Sequence, residues 1–146
     1  MTSLDTNILL PLLDSRSPHH AGANRFVESI PNQDDVGISE FALLELYGLL
    51  RNPAVVTKPR SAQEATEVCQ ALRNHPHWRV LGFPLNGAAV HNEIWRRAAQ
   101  QGFPRRRIYD VRLGLSLVYQ GVTCFATVNV RDFEDLGFHR VWNPLS

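Results

Sequence analysis

Several features that would define other protein classes are scarce or missing. Only two cysteines, Cys69 and Cys124, occur in 146 residues. They lie in an apparently exposed helix and an apolar run, without metal-ligand spacing, so a disulfide scaffold and a cysteine-bound zinc site are excluded, and both are read as free thiols in a reducing compartment. No apolar run is long enough to cross a bilayer, and no basic stretch followed by an apolar signal core precedes the first strand. A cytoplasmic, non-membrane protein beginning at Met1 is expected. The formal net charge of +1 gives no strong global field for nucleic acid. There is also no glycine-rich phosphate loop, no Cys/His ligand pattern and no Gly-x-Ser-x-Gly elbow. Nine Gly and nine Pro are ordinary usage, and no low-complexity tract, internal repeat or linker interrupts the chain. With 44% apolar residues, it holds enough material for a single domain over residues 1–146 with one core.

The pattern that remains alternates short strands with helices. A brief apolar opening passes into Asp5-Thr6-Asn7 and then Ile8-Leu9-Leu10, as a buried strand hands over to a helix. Ser17-Pro18 reads as a cap followed by Pro at a first helical position, opening a helix with Ala23, Phe26, Val27 and Ile30 inward. His19 and His20 then fall in its first turn, as surface residues. Val36–Ile38 is a very short strand, and Ser39 caps Glu40–Leu50, apolar nearly all round and so expected to be buried. Ser61-Ala62-Gln63-Glu64 is a capping box for a helix to about Asn74, with Val68, Ala71 and Leu72 inward. Trp78–Leu81 is a strand. A helix from Pro84–Asn86 through Gln100 carries Ala89, Val90, Ile94, Trp95 and Ala98 inward, and His91 and Glu93 on its surface without an evident partner; Gly102 ends it. Asp110 leads an apolar helix stopped by Gly121. Val122–Val128 is the clearest buried strand, and Phe138–Trp142 an edge strand. This order predicts an α/β fold with a mostly parallel sheet and helices on both faces.

Four acids stand at informative places. Asp5 follows the first strand, where it can cap a helix, bind a metal, or do both, because ligands bind at the carboxyl ends of parallel strands. Glu45 shares its helix face with Phe41, Ala42, Gly48 and Leu49. An unpaired carboxylate among them would be costly, so pairing, neutralisation or metal binding is expected. Asp110 either complements a helix dipole or joins the site. Asp132 follows the strongest strand. If the first strand and Val122–Val128 are neighbours, Asp5 and Asp132 meet at one sheet edge. Clustered carboxylates raise one another's pKa, and Mg²⁺ or Mn²⁺ would compensate through oxygen ligands. Such an ion polarises a phosphodiester for in-line attack by water. Arg96-Arg97 and Arg105-Arg106-Arg107 are either solvated helix ends or a phosphate-contacting rim.

Taken together, Asp5-Thr6-Asn7-Ile8-Leu9-Leu10, Ser39 followed by Glu45-Leu46, Asp110 leading a small-and-apolar helix, and Thr127-x-Asn129-x-x-Asp132-Phe133 resemble the PIN-domain nucleases, in particular VapC-type toxins of toxin–antitoxin pairs. The resemblance spans essentially the whole chain. It implies a three-layer α/β/α sandwich around a short, mostly parallel sheet, Mg²⁺- or Mn²⁺-dependent endoribonuclease activity leaving 5′-phosphate and 3′-hydroxyl ends, a homodimer, and inhibition by a cognate VapB-like antitoxin. Carried over by position, Asp5, Glu45 and Asp110 are the core catalytic and metal-binding acids, and the fourth role is shared between Asn129 and Asp132. Thr6 and Thr127 would hold the acids' rotamers. Arg112 departs from the small aliphatic residues of relatives and faces solvent or RNA, and Arg105, Arg106 and Arg107 would guide phosphates. The alternatives are a PIN nuclease serving RNA processing or DNA cleavage outside toxin–antitoxin systems, and a non-catalytic binding module whose acids are structural.

Overall fold

Every strand pairing in the molecule is parallel, so each strand must be reached by a crossover rather than a hairpin. The computed structural model describes residues 1–146. Strand β1 (Thr2–Leu4) pairs with β4 (Cys124–Ala126), and β4 with β5 (Arg140–Trp142). Strand β2 (Gly37–Ser39) pairs with β3 (Arg79–Leu81), and a single parallel bridge between Thr2 and Val36 joins the two groups. The resulting order is β3-β2-β1-β4-β5, with β1 and the Val122–Val128 strand adjacent at the centre and Arg140–Trp142 at the edge.

Alternation along these short strands sorts side chains to two faces. Leu4 and Ala126, in register with Trp142, share one core with Ile38 and Val80. Helices α1 (Thr6–Leu13), α3 (Glu40–Leu50) and α4 (Ala62–Arg73) close this core with Ile8, Leu9, Leu43, Leu46, Leu50, Ala65 and Leu72, and Phe26 and Val27 of α2 (His20–Ser29) pack on it. Phe125 and Val141 point the other way, into a core made with α5 (Gly87–Ala98), α6 (Arg107–Val118), Phe133 and Leu136. Helices therefore cover both faces of a parallel sheet, the three-layer α/β/α sandwich expected. No helix is long and apolar enough to cross a membrane.

Local signals explain three of the six α-helix starts. Asp5 accepts a hydrogen bond from the Thr6 N–H, Ser39 from that of Phe41, and Ser61 and Glu64 complete a reciprocal capping box. Helix α2 starts at His20 rather than at Ser17-Pro18, because Asp14–Ser17 closes its own turn, with the Ser17 N–H donating to the Asp14 carbonyl. His20 is half-buried. Its Nδ1–H donates to the Pro11 carbonyl (2.8 Å), which leaves Nε2 to accept from Asn24 (3.0 Å).

Three expected inner faces differ. Helix α3 is not buried all round. It lies between α1 and α4 with Ala42, Leu43, Leu46 and Leu50 inward, and its remaining side, carrying Leu44, Glu45 and Gly48, is exposed. Helix α5 packs only its Val90–Ile94 stripe against α6, so Ala89 and Trp95 face solvent, Trp95 with 61% of its surface exposed. In α4 Ala65 is buried and Ala71 exposed. Cys69 of that helix is half-buried, its thiol over the Leu43 carbonyl. Glu93 does have partners: Arg97 at 2.8 Å and Arg96, which together pull its carboxyl down to about 2.

Candidate active site

The carboxyl ends of the two central strands deliver the site. Leu4 and Ala126 are paired in register, so the next residues, Asp5 and Thr127, emerge side by side. Backbone bonds fix both: the Asp5 N–H donates to the Ala126 carbonyl (2.9 Å) and the Thr127 N–H to that of Trp142 (2.9 Å). The Thr127 hydroxyl donates to Asp5 Oδ2 (2.6 Å) and accepts from the Asn7 amide (3.2 Å) and the Asn129 N–H (3.0 Å), which saturates it. Asp5 Oδ1 accepts from the Thr6 N–H at 2.7 Å. Asp5 is thus at once a helix cap and a buried carboxylate. Burial raises its pKa; the bonds from Thr127 and Thr6 oppose that rise, and the charge of Glu45 adds to it.

Asn7, given no role of its own in the sequence reading, ties the two loops together. Its Nδ2 reaches both Asp5 Oδ2 and Thr127, and its Oδ1 accepts from the Val128 N–H at 3.1 Å. The signal available was its place in Asp5-Thr6-Asn7, two residues beyond the acid.

Glu45 reaches the site from α3. It is solvent-exposed rather than embedded in apolar neighbours, so the burial argument made for it does not hold. The helix side it shares with Leu44 and Gly48 is open to solvent. Its position is set instead by the Thr6 hydroxyl, which donates to Glu45 Oε2 at 3.0 Å. Thr6 and Thr127 therefore each grip one acid.

Asp110 lies half-buried in the first turn of α6, and its carboxyl is pushed up to about 6. Burial is the largest cause, followed by the charges of Asp132, Asp5 and Glu45, with Arg107 opposing. The other three acids are thus within electrostatic range of Asp110, and Glu45 also of Asp5. Asp132 ends a 3-10 turn (Val130–Asp132), and the segment after it lies against α6 at Gly114. A Cβ at Gly114 would collide with Leu136 Cδ1 and come within 3.3 Å of Phe133, so this glycine permits the close approach that sets Asp132 opposite Asp110. No hydrogen bond runs from the Asn129 side chain; only its N–H engages the site, through Thr127. No three of the acids converge at the spacing of a closed metal cage.

The arginines divide into committed and free groups. Arg107 is bound to Asp135 (2.6 Å), and Arg97 to Glu93 and Asp135. Arg105 and Arg106 are exposed and make no ion pair, and Arg112 has no carboxylate partner. Glu45 and Asp110 open onto a cleft of about 450 Å³ walled by Phe41, Leu44, Tyr109 and Arg112.

The chain is a parallel α/β/α sandwich with acids gathered around the ends of its central strands, and its sequence matches a family of this architecture. Residues 3–138 match the PIN domain model, and the chain belongs to the PIN-domain family. It is 45% identical over 146 residues to Ribonuclease VapC24 of Mycobacterium tuberculosis, strains CDC 1551 / Oshkosh and H37Rv, covering 100% of this chain and 98% of that protein. Among solved structures it is similar to Mycobacterium tuberculosis VapC20, described as a sarcin-ricin loop cleaving toxin. The TM-score is 0.70 at 19% identity, covering 94% of this chain and 96% of that one. DNA-bound VapBC from Salmonella typhimurium superposes with a TM-score of 0.67 at 22% identity, covering 98% of this chain and 97% of that one. At those identities the two structures attest the fold.

Proposed function

We propose that the chain is a divalent-metal-dependent endoribonuclease and the toxin of a toxin–antitoxin pair. The observation that carries this reading is the set of four acids gathered around the ends of β1 and β4: threonines hold Asp5 and Glu45, and burial together with the charges of the other three acids pushes the Asp110 carboxyl up to about 6. The full-length similarity to a ribonuclease of the VapC type supports the substrate class, and the similarity to a VapBC structure supports an antitoxin partner.

The donor set suits a hard divalent cation. It is all oxygen, carries excess negative charge, and contains no soft ligand. Mg²⁺ is usually held by one or two carboxylates and keeps several waters, so some of these acids would meet it through its water shell. Asp5, Asp110, Glu45 and Asp132 would hold it, with Asn129 in reach of the same loop. When bound, the ion would polarise the phosphodiester and favour attack by water.

The protein's own residues do the positioning. Thr127 and the Thr6 N–H keep Asp5 in one rotamer and favour its ionised form, and Thr6 orients Glu45. Asp110, with its raised pKa, is suited to give up a proton on cation binding, or to exchange one near neutral pH. Unpaired Arg105 and Arg106, at the start of α6, would attract phosphates otherwise repelled by the acids.

The test is incubation of purified protein with total RNA in Mn²⁺, followed by mapping of 5′ ends. Discrete cleavage with 5′-phosphate ends, lost in EDTA and in Asp5→Asn, is the expected result. Cleavage persisting under both conditions would refute the reading.

A further inference from the structure

The cleft beside the acids contains a cation that makes no ion pair within the protein. Arg112 lines it, and the guanidinium carbon stands 4.2 Å from the Phe41 ring centroid and 5.6 Å from that of Tyr109. Its Nε is buried and has no hydrogen-bond partner. Arg96, Arg97 and Arg107 all end on carboxylates, but Arg112 does not, although Glu45 and Asp110 line the same cleft. Aromatic faces rather than an acid hold it, so its hydrogen-bonding fork is uncommitted. The adjoining wall is apolar and open: Tyr109 is 63% and Leu44 71% exposed.

We propose that this cleft seats one unpaired nucleotide of the RNA next to the cut, its phosphate on the Arg112 guanidinium and its base on the Tyr109 ring. The inference rests on reading the neighbouring acids as the cleavage site. A guanidinium pairs with phosphate oxygens through parallel N–H bonds, and the terminal nitrogens of Arg112, on the cleft wall, are the ones that would make them. An exposed tyrosine gives a sequence-tolerant stacking platform, as single-stranded RNA recognition requires. The cleft, at about 450 Å³, is within the range of small-ligand sites. A peptide carboxylate could also meet Arg112, but it would leave the Tyr109 ring unused; a nucleotide engages both groups.

The experiment measures binding of a fluorescein-labelled, short single-stranded RNA by anisotropy in Ca²⁺, without Mg²⁺ or Mn²⁺, across a salt series. Wild type, Arg112→Gln, Arg112→Lys and Tyr109→Leu are compared, each checked for folding by its thermal melt. Arg112→Gln should weaken binding about tenfold or more and lower the salt slope by about one phosphate contact. Arg112→Lys should keep the slope with an intermediate affinity, because it retains charge but loses the fork. Tyr109→Leu should lose about tenfold with the slope unchanged. Wild-type affinity and slope in folded Arg112→Gln and Tyr109→Leu would overturn the proposal and return the cleft to a protein partner, and so would failure of the wild type to bind. Cleavage in Mn²⁺ separates the two readings. RNA binding that depends on Arg112 without any cleavage removes the nuclease and keeps the nucleotide seat. Cleavage by a wild type whose Arg112→Gln variant binds normally removes only the seat.

Discussion

Replacing Asp110 with Asn should stabilise the metal-free protein at neutral pH. Its carboxyl is half-buried and faces three other acids, which together move its pKa from 3.8 to about 6. The folded state therefore holds this proton more tightly than the unfolded chain does. Stability from this group is full below about 3.8, falls as pH rises to about 6, and stays low above that. Two pH units correspond to about 3 kcal/mol. Because the group is half open to water, screening reduces this to about 1–1.5 kcal/mol. An uncharged amide of the same shape removes that cost. For a domain of this size the melting temperature in EDTA at pH 7 should rise by about 3–5 °C. The gain should vanish near pH 4, where wild-type Asp110 is itself protonated. In saturating Mn²⁺ the order should reverse, because only the wild type gains stability from the ion. Scanning calorimetry of both proteins at the two pH values is the assay. A destabilised Asp110→Asn, or a gain that persists unchanged near pH 4, would refute the reasoning that burial and the neighbouring acids make the ionised Asp110 costly.

Other substitutions probe the supports of the cluster. Asp5→Asn should act in the opposite sense to Asp110→Asn: either amide orientation sets an NH₂ against the donors of Thr127 and Asn7 or of Thr6, costing about 1–3 kcal/mol by thermal melt. Thr127→Val keeps the shape but removes the hydroxyl shared by Asp5, Asn7 and Asn129. It should cost about 1–3 kcal/mol and raise the Asp5 pKa further, so any cleavage activity should require higher pH, as a pH–rate profile would reveal. Gly114→Ala should cost about 1–3 kcal/mol by overpacking against Leu136, and by displacing the segment after Asp132 should reduce RNA cleavage more than the melt alone explains.

The frame was legible because its signals are local. Strand–helix alternation, the Ser39 cap and the Ser61–Glu64 capping box depend on residues within a few positions of one another. The meeting of Asp5 and Asp132 was conditional on the first strand and Val122–Val128 being neighbours, which β1 and β4 are; that pairing also sets Asp5 beside Thr127. Glu45 was reached by a faulty route: a helix apolar all round need not be buried all round, and the side carrying Leu44 and Glu45 is open in this chain. Trp95 misled in the same way, since hydropathy cannot say which apolar residues a narrow packing stripe will use. The bonds of Glu93 to Arg96 and Arg97 were readable in their three- and four-residue spacing. The Arg107–Asp135 pair, the clearance at Gly114 and the Arg112–Phe41 contact were not, because each depends on elements far apart in the chain.

The central claim, that these carboxylates share a divalent cation, is tested most directly by titrating Mn²⁺ into the protein near pH 6 by calorimetry, in buffers of different ionisation enthalpy. A shared cation must displace the proton that burial and the neighbouring acids keep on Asp110, so wild type should bind with release of roughly half a proton from that group, while Asp110→Asn should bind weakly and release less. Equal heats and equal proton release in the two proteins, or no binding by the wild type, would contradict the account.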